Sequence, residues 1–175
     1  MTVDGNNNVL LAGSLGGNID FGGGISISDL GLTDAFVVKL TGALAPVWAR
    51  SFGDAAYDQT AKTVAVSSTG DVFFGGSFKG SLGTLGPPAG GTTATDAFLA
   101  QLAGGDGSVV CARAYGDVAG GQQLTTITVA RAATGALANA ITMGGTFTSQ
   151  ITLGTATLDT GDPGISASYV GRVTP

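Results

Sequence analysis

Apolar and polar residues alternate in short runs along this chain, and one run shows the alternation most clearly. The apolar side chains of Phe36, Val38 and Leu40 are spaced two residues apart, and Lys39 falls between the last two. A period of two is typical of a β-strand with one buried face. We therefore expect a strand here with Lys39 on the face opposite the buried one. Two later runs alternate in the same way: Phe98, Ala100 and Leu102 with Gln101, and Tyr169, Gly171 and Val173 with Arg172.

These runs belong to a longer repeat. Similar segments begin at Val3, Val66 and Val129, and successive copies are 63 residues apart. Motifs that match in the same order at one offset indicate tandem structural units. The other matching motifs are Val47–Asp54 with Val110–Asp117, and Thr33–Leu40 with Thr95–Leu102 and Ser166–Val173.

Each unit is predicted to contain four short strands. In the second unit we place them at Ala61–Val66, Val72–Phe78, Ala97–Leu102 and Val109–Tyr115, with a long Gly/Thr/Pro loop before the third strand. Glycine closes the second strand of every unit, which is typical of positive φ or of close backbone approach. These glycines are Gly13, Gly76 and Gly145.

Four-stranded units in tandem, none of which can bury its own faces, are typical of β-propeller blades. We predict an all-β, propeller-like fold of about three four-stranded antiparallel blades, the last one incomplete. The predicted boundaries are 1–54 with a truncated first strand, 55–117, and 118–175 without a fourth strand. Together they would form one domain or a fragment of a larger propeller.

The repeat motifs resemble those of the bacterial SBBP β-propeller repeat, found in large surface or secreted proteins, often of myxobacteria. The residues that carry the resemblance are Val3–Asp54 and Val66–Asp117, and more loosely Val129–Val173. The third copy departs from the pattern at Ala167 and at the expanded turn 132–139. The resemblance implies the propeller fold and an extracellular or cell-surface location, and it supplies no catalytic residues.

Composition removes several classes of function. The chain has 31 glycines among 175 residues, no His, no Glu, one Cys and a net charge of −5. Without His there is no Ser-His-Asp triad and no His-ligated zinc, and one thiol forms no internal disulfide. Seven scattered basic residues argue against a nucleic-acid groove. The sequence has no run long enough for a membrane-spanning helix and no signal peptide at its start.

Two groups of acidic residues have both a chemical and a structural interpretation. Asp34 and Asp96 recur just before the third strand, either as a cation-binding ring of carboxylates or as turn caps that accept backbone N–H groups. Ala167 interrupts any ring, so we favour the caps. The loop Asp4–Asn8 resembles a calcium loop but lacks the bidentate Glu, so we predict a turn between strands.

The remaining candidates are also expected to be structural. Cys111 occupies the repeat position of Trp48, which favours a buried packing site over a reactive thiol. Trp48 and Tyr115 are expected to pack between sheets rather than to stack on sugars, with the stems of Arg50 and Arg113 over the rings. The glycine runs 22–24 and 90–91 do not match a phosphate-binding loop.

The sequence thus predicts a non-catalytic structural or interaction module, and no catalytic, cofactor-binding or metal-binding residue is assigned. The alternatives are a lectin-like carbohydrate-binding propeller and, less favoured, an enzyme with its site at the central channel. We expect an unidentified protein or glycan partner and no nucleic acid. A further expectation is a homo-oligomer, such as two copies that complete a ring.

Overall fold

The computed structural model describes residues 1–86, 92–116, 120–130 and 139–173. These residues form only strands, turns and one short 3₁₀ helix at Gly83–Leu85, which confirms the all-β expectation. The glycines at 90–91, most of the predicted expanded turn and the boundary between 117 and 118 lie outside the described residues.

The described residues contain fifteen strands, and four of them agree closely with the four strands predicted in the second unit. The first unit contains β1 (Thr2–Val3), β2 (Val9–Leu15), β3 (Asn18–Asp20), β4 (Ser26–Ser28), β5 (Asp34–Leu40) and β6 (Pro46–Phe52). The second unit contains β7 (Gln59–Val66), β8 (Val72–Phe78), β9 (Asp96–Leu102) and β10 (Val109–Tyr115). The third unit contains β11 (Gln122–Val129), β12 (Ile141–Thr148), β13 (Gln150–Leu153), β14 (Ala156–Asp159) and β15 (Ser166–Val173).

Eleven of these strands form three antiparallel sheets, and the other four form two separate hairpins. The strand orders of the sheets are β1-β2-β5-β6, β7-β8-β9-β10 and β11-β12-β15, so the third sheet has three strands. The register is the same in each unit: Phe36 pairs with Gly13, Phe98 with Gly76, and Tyr169 with Gly145. The loop predicted before the third strand contains extra hairpins, β3–β4 in the first unit and β13–β14 in the third.

The sheets stack face to face, with the second between the other two. Strand β7 packs on the face of the first sheet, and β11 packs on the face of the second. We call the contact between the first two sheets the first junction and the contact between the last two the second junction. Both faces of the middle sheet are therefore covered, and every residue of β8 is buried.

One feature of the predicted faces is wrong. Lys39 was expected on a polar face, but it is only 8% exposed because that face of the first sheet forms the first junction. Val37 lies on the same face and is fully buried with Leu10 and Trp48. The opposite face, with Val38 and Leu40, packs on the β3–β4 hairpin.

A glycine opposite a bulge recurs in the last two sheets. Strand β7 has its irregularity between Ala61 and Thr63, opposite Gly76, and β11 has the equivalent one opposite Gly145. A Cβ at Gly76 would overlap the carbonyl oxygen of Thr60, and one at Gly145 would overlap the carbonyl oxygen of Gln123. The prediction of close backbone approach is therefore confirmed at these two positions.

Candidate functional site

The loop that resembles a calcium site is a turn held by its own carboxylate. Asp4 accepts hydrogen bonds from the backbone N–H groups of Asn6 and Asn8, at 2.8 and 2.9 Å, and from the side chain of Asn8 at 2.9 Å. Its Oδ2 also lies 3.0 Å from Nζ of Lys39. Burial opposes ionisation, but these hydrogen bonds and the ammonium together hold the pKa of Asp4 well below its usual range. The prediction of a turn is confirmed.

Three side chains of the first sheet converge on the β9–β10 turn and close the first junction. The carbonyl oxygen of Gly104 accepts hydrogen bonds from Nζ of Lys39 at 2.8 Å and from Nε1 of Trp48 at 3.2 Å. Arg50 donates through Nη2 to the carbonyl oxygen of Asp106 at 2.6 Å. Trp48 is 4% exposed, so the prediction that it packs between sheets is confirmed. We call this arrangement the turn seal.

Asp34 lies at the other end of the same junction and is fully buried. Its Oδ2 accepts the N–H of Leu30 at 3.0 Å, which confirms the predicted cap, while Oδ1 has no hydrogen-bond partner. Gly53 leaves room beside that oxygen, because a Cβ there would overlap Oδ1 of Asp34 and touch Oε1 of Gln59. Burial, together with the nearby carboxylates of Asp29 and Asp54, raises the pKa of Asp34 above its ordinary value of 3.8.

The second junction repeats this cluster one unit later. Asp96 is 1% exposed, and a Cβ at Gly116 would overlap its Oδ1. Gln122 is fully buried and donates to the carbonyl oxygen of Gln150 at 2.9 Å, as Gln59 donates to that of Lys79 at 3.0 Å. The two carboxylates are therefore both buried, one in each junction.

The two glutamines are functional parts of these clusters that the sequence reasoning missed. The repeat itself could have identified them, because Gln59 and Gln122 are 63 residues apart and each begins the first strand of a unit. Their backbone N–H groups also bond equivalent carbonyl oxygens, those of Thr33 and Thr95, at 2.7 Å each. The predicted strand of the second unit begins at Ala61, two residues after Gln59, whereas the structure begins it at Gln59 and buries that side chain in the junction.

Cys111 is exposed, so the prediction that it is buried is wrong. The position is equivalent to that of Trp48, which the β9–β10 turn covers. No equivalent turn covers Cys111 among the residues that the structure describes. Its Sγ lies 3.6 Å from Oε1 of Gln101, the residue at the repeat position of Lys39.

A groove follows the open side of the second junction. The middle sheet lines it with Cys111, Arg113 and Tyr115, and β15 lines it with Arg172 and Val173. Leu99 and Ile141 extend its apolar floor at one end, and Leu153 and Gly154 of the β13–β14 hairpin border the other. Tyr115 is 7% exposed, in agreement with the packing prediction, but its buried hydroxyl has no hydrogen-bond partner.

The groove opens on the side of the fourth strands. Near the first strands a hydrogen bond of 3.1 Å from the N–H of Ile127 to Oγ1 of Thr63 bridges the same junction. An apolar floor, two arginines and an adjacent strand edge can bind an extended polypeptide through main-chain and side-chain contacts. We regard this groove as the candidate functional site.

The other candidates supply no competing site. The turn between β3 and β4 has three consecutive residues with positive φ, Gly22, Gly23 and Gly24, a conformation that glycine adopts without strain. Within residues 1–86, 92–116, 120–130 and 139–173, no three acidic or cysteine side chains gather as a set of metal ligands. No helix in that part of the chain is long and apolar enough to cross a membrane.

Comparison with known proteins does not assign the chain to a family. No protein-family model matches the chain, and no curated protein matches it significantly. The resemblance of the repeats to the SBBP family therefore stays a prediction.

Proposed function

We propose that the protein is a non-catalytic structural and interaction module whose three sheets are blades of a β-propeller. The observation that carries the proposal is the repetition of one packing mode: β7 on the first sheet and β11 on the second, each with a buried Asp and a buried Gln beside a Gly at the same register. Units that stack through equivalent contacts are typical of propellers and other repeat architectures.

The distribution of polar side chains supports a role in binding rather than in catalysis. Asp4 and Lys39 are occupied with each other and with backbone groups, and Asp34 caps a turn. Trp48 is buried under the turn seal, where no sugar ring can reach its face, which favours the interaction module over the lectin-like alternative. The groove is the surface that these structural roles leave available.

The two end faces differ in how well they suit a ring of two copies. On the third sheet the outer face consists mainly of exposed polar residues, among them Thr142, Thr146, Ser168 and Arg172. On the first sheet the β3–β4 hairpin packs over the outer face. The ring stays a prediction, and light scattering at increasing concentration tests it through a mass of twice 17.0 kDa.

Parallel assays of turnover and binding test the proposed function. We expect no hydrolysis of ester, glycoside or phosphate substrates above that of buffer, no binding on a glycan array, and saturable binding of an extended peptide. Turnover that follows the purified chain through every column would contradict the proposal. Glycan binding that is lost in a surface variant would favour the lectin-like alternative.

A further inference from the structure

The two carboxyl oxygens of Asp34 have different surroundings. Asp34 begins β5 in the first junction and is fully buried. Its Oδ2 accepts the N–H of Leu30 at 3.0 Å, whereas Oδ1 has no hydrogen-bond partner among the residues that the structure describes. Burial of an unpartnered carboxylate oxygen is costly, and a carboxyl group avoids that cost by taking up a proton. The atoms around Oδ1 show where such a proton would point.

Gln59 brings a second acceptor to the same place from the facing sheet. It begins β7 and is fully buried. A Cβ built on Gly53 would overlap Oδ1 of Asp34 and would lie 2.5 Å from Oε1 of Gln59, so both oxygens face one point. Two acceptors at short range repel each other unless one of them carries a hydrogen. One hydrogen between them therefore turns a repulsive contact into a hydrogen bond.

The amide group of Gln59 cannot supply this hydrogen. Its Nε2 donates to the carbonyl oxygen of Lys79 at 3.0 Å, and its Oε1 accepts the N–H of Asp54 at 3.4 Å. A half-turn of the amide would set an oxygen against the carbonyl of Lys79 and an NH₂ group against the N–H of Asp54. Oε1 is therefore held on the side of Asp34, and the hydrogen must come from the carboxyl group.

The charged groups around Asp34 favour its neutral form. Burial is the main cause that raises the pKa of Asp34 above 3.8, and the carboxylates of Asp29, before β5, and Asp54, before β7, raise it further. The backbone hydrogen bond to Oδ2 opposes them. Two other charged residues lie on the neighbouring segments: Asp58 is exposed, and Lys79 meets the cluster through its carbonyl oxygen.

We propose that Asp34 is a carboxylic acid in the folded chain and that its Oδ1 donates a hydrogen bond to Oε1 of Gln59 across the first junction. Oδ2 continues to accept the N–H of Leu30, because a protonated carboxyl group is both a donor and an acceptor. The proton comes from solvent during folding and links β5 to β7. The site lies between the first two sheets, and it does not depend on the proposed function.

This hydrogen bond makes the first junction sensitive to pH. Because the pKa of Asp34 is raised, the bond is fully present below pH 3.8 and is lost as the pH rises through the folded-state pKa, when the proton returns to solvent. The charge that remains then faces the amide oxygen of Gln59 and the carboxylates of Asp29 and Asp54. An asparagine at position 34 would offer an N–H donor at every pH. The aspartate therefore gives the junction a response that a neutral residue would not.

Carbon-13 NMR of the carboxyl groups tests the protonation of Asp34 in the full chain. The acidic side chains are all aspartates, so labelling of Asp Cγ covers every one of them. Asp34→Asn identifies the signal, and sequential assignment of the wild-type chain identifies it if that variant does not fold. We expect a titration midpoint above 3.8 for Asp34. Asp58→Asn, at an exposed carboxylate near the same junction, is the matched control and should leave that midpoint in place.

The side-chain carbonyl of Gln59 tests the partner of the proton. Its Cδ signal should titrate with the midpoint of Asp34, because the carbonyl accepts the hydrogen bond only while Asp34 is protonated. In Asp34→Asn the signal should stay near its acid-form position at every pH, whereas Asp34→Leu, which offers no donor, should move it away. The amide of Gln101, which lies beside Cys111, is the control and should not follow this midpoint.

Several outcomes would overturn the proposal. These are a midpoint for Asp34 at or below 3.8, a Gln59 signal that ignores this midpoint, and identical Gln59 signals in the Asn and Leu variants. A shift of the Asp34 signal on addition of calcium chloride at pH 7, with a gain in stability, would show that a metal cation satisfies Oδ1 instead of a proton. Turnover in the enzyme assays would contradict the proposed function without affecting this result.

Discussion

The two junctions between sheets have the same register but are closed to different extents. At the first junction a tryptophan, a lysine and an arginine meet the β9–β10 turn, and Trp48 is buried. At the second junction the equivalent Cys111 is exposed, although Asp96 and Gln122 at the other end of the junction are as buried as Asp34 and Gln59. The burial of a repeat position therefore depends on the following unit as well as on the residue's own strand.

The largest expected difference between the junctions is at the equivalent positions 48 and 111. Trp48→Ala removes a buried ring and a hydrogen bond, and we expect it to lower the free energy of unfolding by about 3–5 kcal/mol. Cys111→Ala should change it by less than about 0.5 kcal/mol, because the side chain is exposed. Urea unfolding of both variants measures the difference, and Val47→Ala, at an exposed neighbour, is the control. Equal losses at 48 and 111 would contradict the contrast.

The Asp–Gly–Gln clusters occur in both junctions, so replacing the glycine of either cluster should lower the stability by a similar amount. Gly53→Ala and Gly116→Ala each place a methyl group against the Asp carboxylate, and each should lower stability by about 1–3 kcal/mol. Gly105→Ala is the matched control, since a Cβ there meets nothing within 4 Å. Denaturation midpoints of the three variants check this expectation. A tolerated alanine at 53 alone would show that the two clusters are not equivalent.

Two carboxylates of the first unit should affect stability with opposite dependence on pH. Because the pKa of Asp34 is raised in the folded state, this carboxyl contributes to the free energy of unfolding below pH 3.8. That contribution is lost as the pH rises through the folded-state pKa. Asp34→Asn should therefore raise stability at pH 7 and flatten the loss of stability at higher pH.

The lowered pKa of Asp4 has the reverse sign, because its contribution is present above 3.8 and is lost on acidification. Asp4→Asn, which leaves Lys39 without its carboxylate, should therefore lower stability at pH 7. Unfolding free energies at several pH values for the two variants distinguish these signs. A loss of stability for Asp34→Asn at pH 7 would contradict the first of them.

The smallest effect is kinetic and concerns the thiol alone. Cys111 should react with a disulfide reagent at close to the rate of the same chain unfolded in urea. For comparison, Ala100→Cys in a Cys111→Ala background should label much more slowly, because Ala100 is 1% exposed. Slow labelling of Cys111 in the native chain would mean that some segment already covers the groove.

The sequence predicted the strands well and their surroundings less well. Alternation and the 63-residue repeat located Val72–Phe78 and Val109–Tyr115, because local pattern determines where a strand lies. Lys39 was placed on the wrong kind of face and Cys111 was given the wrong burial, since stacking covers both faces of some strands and not of others. The groove lay beyond sequence reasoning, because residues of two units line it, Arg113 and Tyr115 of one and Arg172 and Val173 of the other, and the repeat alone does not show which residues face each other across a junction.

The glycines opposite the bulges have a consequence for how copies of this repeat can diverge. At Gly76 and Gly145 any side chain meets a backbone carbonyl, so random mutation there is filtered out in each copy independently. At Gly13 the nearest atoms to an added Cβ belong to the ring of Phe36, at 3.0 Å, and a ring can shift where a backbone carbonyl cannot. A library of this chain in which codons 13, 76 and 145 are randomised, after one round of selection for folded protein, should therefore retain other residues at 13 and glycine at 76 and 145.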